Sequence, residues 1–92
     1  MQVKTFKSIS DQIDLLKKRR ILVLDEEYAT RKLMEINYYR FIGYALPFKD
    51  SNSDLYKENI SFNDIIKIYE FDQELRILLF KYISIIDIKN YI

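Results

Sequence analysis

The chain has 92 residues, 15 basic and 14 acidic, with a formal charge of +1, 49% hydrophobic residues, and neither cysteine nor histidine. That length holds one domain with a modest core, and the balanced charge and 15% aromatic content argue against a disordered chain. The missing residue types exclude disulfides, thiolate and imidazole metal ligands, and every histidine-containing catalytic triad.

A charge this close to zero supplies no global attraction for nucleic acid, so any such contact needs a local patch. The first seven residues lack the apolar core of a signal peptide. The most apolar stretch, Leu75 to Ile88, is broken by Arg76, Lys81 and Asp87. It is too short and too charged to span a bilayer. The reading is a cytoplasmic bacterial protein with no membrane partner, no cofactor and no metal.

In chain order, Ser8 and Asp11 have the spacing of a capping box. They open a helix over about 9–19, with Ile9, Ile13 and Leu16 as its apolar stripe and Leu15 adjoining. Lys17, Lys18 and Arg19 occupy its last turn, where cations suit the helix dipole. Ile21 to Leu24 is a short apolar run, either a strand or a buried connector. Asp25 is an N-cap, with Glu26 and Glu27 in the first turn of a helix over 26–36. Ala29, Leu33 and Ile36 mark its buried face. A third helix over 38–45 starts after Asn37 and ends before Pro47. Residues 49–60 form a polar, turn-rich loop in which Leu55, Tyr56 and Ile60 either pin it to the core or close it as a short hairpin. Ser61 and Asp64 make a second capping box, flanked by an Ile60–Ile65 hydrophobic staple. The helix they open runs over about 62–90, with no Gly or Pro to stop it. From Leu75 onward it is apolar on most sides, leaving a stripe of Lys81, Ser84 and Asp87. Such a helix is either enclosed within the domain or packed against another body. The fold class is all-α, a single domain over 1–92.

Four groups of residues carry candidate chemistry. Lys17, Lys18, Arg19 and Arg20 are four consecutive cations, able to hold phosphates or simply to end a helix in solvent. Asn37, Tyr38, Tyr39 and Arg40 read either as a base-stacking, phosphate-holding surface or as a capped helix junction with packed tyrosines. Asp72 and Arg76 have the favourable i,i+4 order of a helix ion pair. They are either an exposed, weakly stabilising pair or a buried clamp reaching Asn37, Tyr38 or Arg40, and Phe71 and Leu75 beside them imply that this part of the helix is partly buried. Asp25, Glu26 and Glu27 read as a helix N-terminal acidic turn rather than metal ligands. No glycine-rich phosphate loop exists in a chain with one glycine.

Two cassettes stand out. One is Asn37-Tyr38-Tyr39-Arg40-Phe41-Ile42-Gly43-Tyr44 leading into Pro47-Phe48; the other is Tyr69-Glu70-Phe71-Asp72-Gln73-Glu74-Leu75-Arg76. Together they resemble the Abi-like family, the D/F type of abortive-infection protein, over roughly 8–88. The resemblance implies phage defence acting on RNA and a partial bundle of the HEPN type, a superfamily of helical, often dimeric RNA-processing domains. It also implies a ribonuclease signature of Arg followed after four to six residues by His. Ile86-Asp87-Ile88 matches the segment that precedes that signature, but Tyr91, with Lys89 nearby, stands where the Arg is expected. On this resemblance the chain corresponds to the N-terminal portion of such a protein. No catalytic residue is carried over. The expected partners are RNA, and a second copy of the chain or a missing C-terminal segment that covers the long helix. The alternative is a non-catalytic structural or regulatory helical protein that self-associates through that helix.

Overall fold

In the computed structural model the backbone is described for residues 8–91 and the side chains for residues 8–86. The expectations placed on residues 1–7 and on the side chains of Asp87, Ile88, Lys89 and Tyr91 lie outside these. Four α-helices follow one another: α1 (Ile9–Lys18), α2 (Glu26–Ile36), α3 (Tyr38–Ala45) and α4 (Phe62–Tyr91), with a 3-10 turn at Leu46–Phe48. The described residues contain no strand, so the fold is all-α.

Each helix starts where a side chain satisfies an orphan backbone N–H. The Ser8 hydroxyl accepts from the Asp11 N–H at 3.1 Å, and the Asp25 carboxylate from the Tyr28 N–H at 3.1 Å. At α4 the box is reciprocal: the Asp64 N–H reaches the Ser61 hydroxyl at 3.1 Å, and the Ser61 N–H reaches the Asp64 carboxylate at 3.0 Å. Those bonds hold the Asp64 carboxyl below its usual range. Asn37 both ends α2 and caps α3, its side chain accepting from the Tyr39 N–H at 2.9 Å. Its backbone sits at φ 81°, ψ 139°, a region costly for any residue but glycine.

The end of α1 is a Schellman motif. The Ile21 N–H reaches the Leu16 carbonyl at 2.9 Å and the Arg20 N–H reaches the Lys17 carbonyl at 3.0 Å. Arg20 therefore takes the left-handed position, φ 81°, where glycine would be unstrained. Leu16 and Ile21, both buried, supply the apolar contact such a cap usually carries.

The apolar run after α1 is a connector, not a strand. Leu22 makes one isolated parallel bridge with Ser61, while Leu22 and Leu24 face solvent. The polar loop closes with a single antiparallel bridge, Lys49 to Tyr56, short of a hairpin. Tyr56 is buried and its N–H reaches the Arg19 carbonyl at 2.9 Å, tying the loop to the end of α1.

The core lies where α1, α2, α3 and the first turns of α4 meet. It holds Ile13, Leu16, Ile21, Ala29, Leu33, Ile36, Phe41, Ala45, Tyr56, Phe62, Ile65 and Ile66. Phe41 stacks on Phe62 at 4.5 Å, and Tyr28 meets Phe62 edge-on at 6.3 Å. Burial on α4 stops early. Phe71 is 67% exposed, and the large apolar side chains from Leu75 to Ile86 are all exposed, Phe80 at 74%. The burial expected around Phe71 and Leu75 is thus corrected. The short helices cover only about the first three turns of α4, and the rest extends beyond them.

Candidate nucleic-acid interface

The four consecutive cations separate once the Schellman turn is formed. Lys17 pairs with Glu26 at the start of α2, which draws it away from phosphate chemistry. Lys18 and Arg20 are exposed. Arg19 is half-buried beside the rings of Tyr38 and Tyr56. Burial raises both phenols above their ordinary pKa, and the Arg19 charge opposes the rise. Tyr38 meets Tyr39 edge-on at 5.8 Å, and Tyr39 is 61% exposed. Arg19 and the Tyr38–Tyr39 pair are thus neighbours at the junction of α1 and α3, with the exposed Lys18 and Arg20 adjoining Arg19 in the chain. Flat, sequence-tolerant contacts to single-stranded nucleic acid use cations and exposed aromatic rings.

Arg40 does not join this strip. It lies two residues beyond Tyr38 on α3, hence on a different face. Its charge acts on Asp72 of α4. Asp72 is the centre of the contact between the two cassettes. Its Oδ2 accepts from the Tyr44 hydroxyl and, at 2.9 Å, from Arg76 Nε. The Tyr44 bond, then Arg76, holds the Asp72 carboxyl below its usual range, and the same bond raises the Tyr44 phenol. Tyr44 also meets Tyr69 edge-on at 5.3 Å.

The cassettes therefore pack on each other, but not as the spacing suggested. The clamp runs from Tyr44 rather than from Asn37, Tyr38 or Arg40, and Arg76 is an exposed arm of it, its side chain 65% accessible. Tyr44 was visible in the motif, but nothing in the spacing sets it opposite Asp72; α3–α4 packing does that. Tyr56 pins the polar loop to the core, one of the two outcomes its sequence allowed, but its place beside Arg19 depends on a long-range backbone bond that no spacing specifies. Pro47 and Phe48 form the 3-10 turn that ends α3, and Phe48 packs on the core.

Asp25 and Glu26 are spent on a cap and an ion pair, as their place in α2 implies. Among the described residues no cluster of carboxylates could hold a metal ion, and no helix is long and apolar enough to cross a membrane. A family model described as "Abi-like protein" matches residues 31–90, which includes both cassettes. No curated protein and no solved structure matches the chain.

Proposed function

The chain belongs to the Abi-like protein family, and from that premise we propose that it serves phage resistance of the abortive-infection kind by associating with RNA. The observation that supports the RNA reading is the Lys18–Arg20 strip, exposed at Lys18 and Arg20, whose Arg19 charge acts on Tyr38 next to the exposed Tyr39. Cations hold phosphates there while the exposed Tyr39 ring offers a stacking face. The chain contributes recognition rather than bond breaking, because it has no histidine or cysteine to serve as base or nucleophile. Any HEPN-type cleavage centre would be supplied by other residues. Association would be dominated by phosphate contact and so weaken with salt.

The test is binding of single-stranded RNA to the purified chain at low salt, read by fluorescence anisotropy. Arg20→Gly is the informative variant. It removes a charge while relieving a left-handed backbone, so the domain should become more stable and bind RNA less tightly. Binding that is unchanged in Arg20→Gly and in Tyr39→Ala would overturn the strip as the interface.

A second reading, a structural or regulatory protein that self-associates through α4, is favoured by the exposed apolar side chains between Leu75 and Ile86.

A further inference from the structure

Beyond its first turns, α4 carries two apolar tracts. One continues the face that α3 covers, with Ile77, Phe80 and Ile83, and is interrupted by Gln73, Arg76 and Ser84. The other lies on the side turned away from the core. It consists of Ile68, Phe71, Leu75, Leu78, Tyr82 and Ile85, spaced alternately three and four residues apart without interruption. All six are exposed, from 39% at Ile68 to 67% at Phe71. This spacing is the seam of a two-stranded coiled coil, and at 1.5 Å per residue it runs about 25 Å.

The charges beside the seam select the occupant. Glu74 and Lys81 lie seven residues apart on one flank, both exposed, and neither takes part in an ion pair among the described residues. Antiparallel pairing with a second copy that sets Leu75 opposite Leu78 also sets Phe71 opposite Tyr82 and Ile68 opposite Ile85. The same register brings Glu74 of each copy beside Lys81 of the other, twice, by the two-fold symmetry. A parallel pairing would place Glu74 near Leu79 and leave both charges unmatched. The sequence of α4 is therefore complementary to itself in one direction and one register.

We propose that α4 pairs antiparallel with α4 of a second copy along the Ile68–Ile85 seam, with reciprocal Glu74–Lys81 ion pairs setting the register. This rests on and deepens the second reading, self-association through α4, by fixing its direction and register, and it does not depend on RNA association. The two-fold removes the seam from water and leaves Lys18, Arg19, Arg20 and Tyr39, on other elements, outside the pairing.

Sedimentation equilibrium of the chain across the micromolar range tests the pairing. A concentration-dependent monomer–dimer equilibrium is expected. Glu74→Lys and Lys81→Glu should each weaken it about tenfold, because each creates two like-charge contacts, and the double reversal should return it to within about threefold of the parent. Leu78→Glu, at an exposed position that leaves the core intact, should abolish the dimer while circular dichroism of the monomer stays helical. A monomer throughout the range overturns the proposal. So does association that the single reversals leave unchanged, that the double reversal fails to restore, or that grows into larger aggregates.

Discussion

One strained backbone, one helical glycine and one hydrogen bond dominate at the scale of single residues. Arg20 holds a left-handed conformation at φ 81°. Arg20→Gly should raise unfolding stability by about 0.5–1 kcal/mol, measurable by urea denaturation, because glycine meets no Cβ penalty there. Gly43 presents the reverse case. It sits exposed inside α3, and a Cβ placed there meets nothing within 4 Å. Gly43→Ala should stabilise by roughly 0.5–1 kcal/mol in the same assay. The third residue-scale feature is the Tyr44–Asp72 bond. The Asp72 pKa is depressed in the folded state, so its contribution to stability is present above the unfolded value near 3.9 and is lost as pH falls through the folded one. The Tyr44 pKa is raised, so its contribution is present below about pH 10 and is lost as pH rises through the folded value. Tyr44→Phe should raise the Asp72 pKa in an NMR titration and shift acid unfolding to higher pH. Arg76→Ala, which removes only the exposed arm, should leave the thermal midpoint close to that of the parent. An unshifted Asp72 titration in Tyr44→Phe would mean that the phenol does not hold the carboxylate in solution.

Helix ends were the most legible elements. Ser8, Asp25, Asn37 and Ser61 each cap the helix their spacing implied, because a cap depends on residues only two or three apart. Ser61→Ala should accordingly cost about 1 kcal/mol, read as a lower denaturant midpoint. The buried stripes of α1 and α2 were legible for a related reason: helical periodicity specifies a face whatever covers it. It does not specify how far the covering extends. On α4, Phe62, Ile65 and Ile66 are buried, whereas Leu75 to Ile86 are just as apolar and exposed. Amide hydrogen exchange should reflect this. In dilute protein, protection should fall from the 62–72 segment to the 75–86 segment, where few tertiary contacts oppose local opening. At concentrations that favour dimer, the second segment should gain protection.

At the scale of the whole molecule the shape is elongated. The radius of gyration is 17.3 Å, against roughly 12 Å for a compact globule of this length. The thirty-residue α4, about 45 Å long at 1.5 Å per residue, is the longest element of a molecule whose long axis is 56 Å. With a net charge of only +1, the RNA association we propose would need a local patch such as the Lys18–Arg20 strip. With Lys18, Arg19 and Arg20 as its phosphate contacts, log K against log salt should have a slope near about −2 for single-stranded RNA. A slope twice as steep would place further cations in the interface, and a flat one would remove phosphate contact from the reading.

The amino-acid sequence by itself determined the helices, their caps, the all-α class and the family, because these rest on short-range spacing and on motifs contiguous in the chain. Only the tertiary structure decided which of those residues meet. It pairs Lys17 with Glu26, brings the Arg19 charge to Tyr38 and Tyr56, and brings the Arg40 charge within range of Asp72. It also joins the cassettes through Tyr44 and leaves the distal half of α4 outside the core. The physical reason is the same in each case. A contact between residues on different elements depends on how the helices pack and where the chain turns between them, and neither is encoded in the local period of either partner.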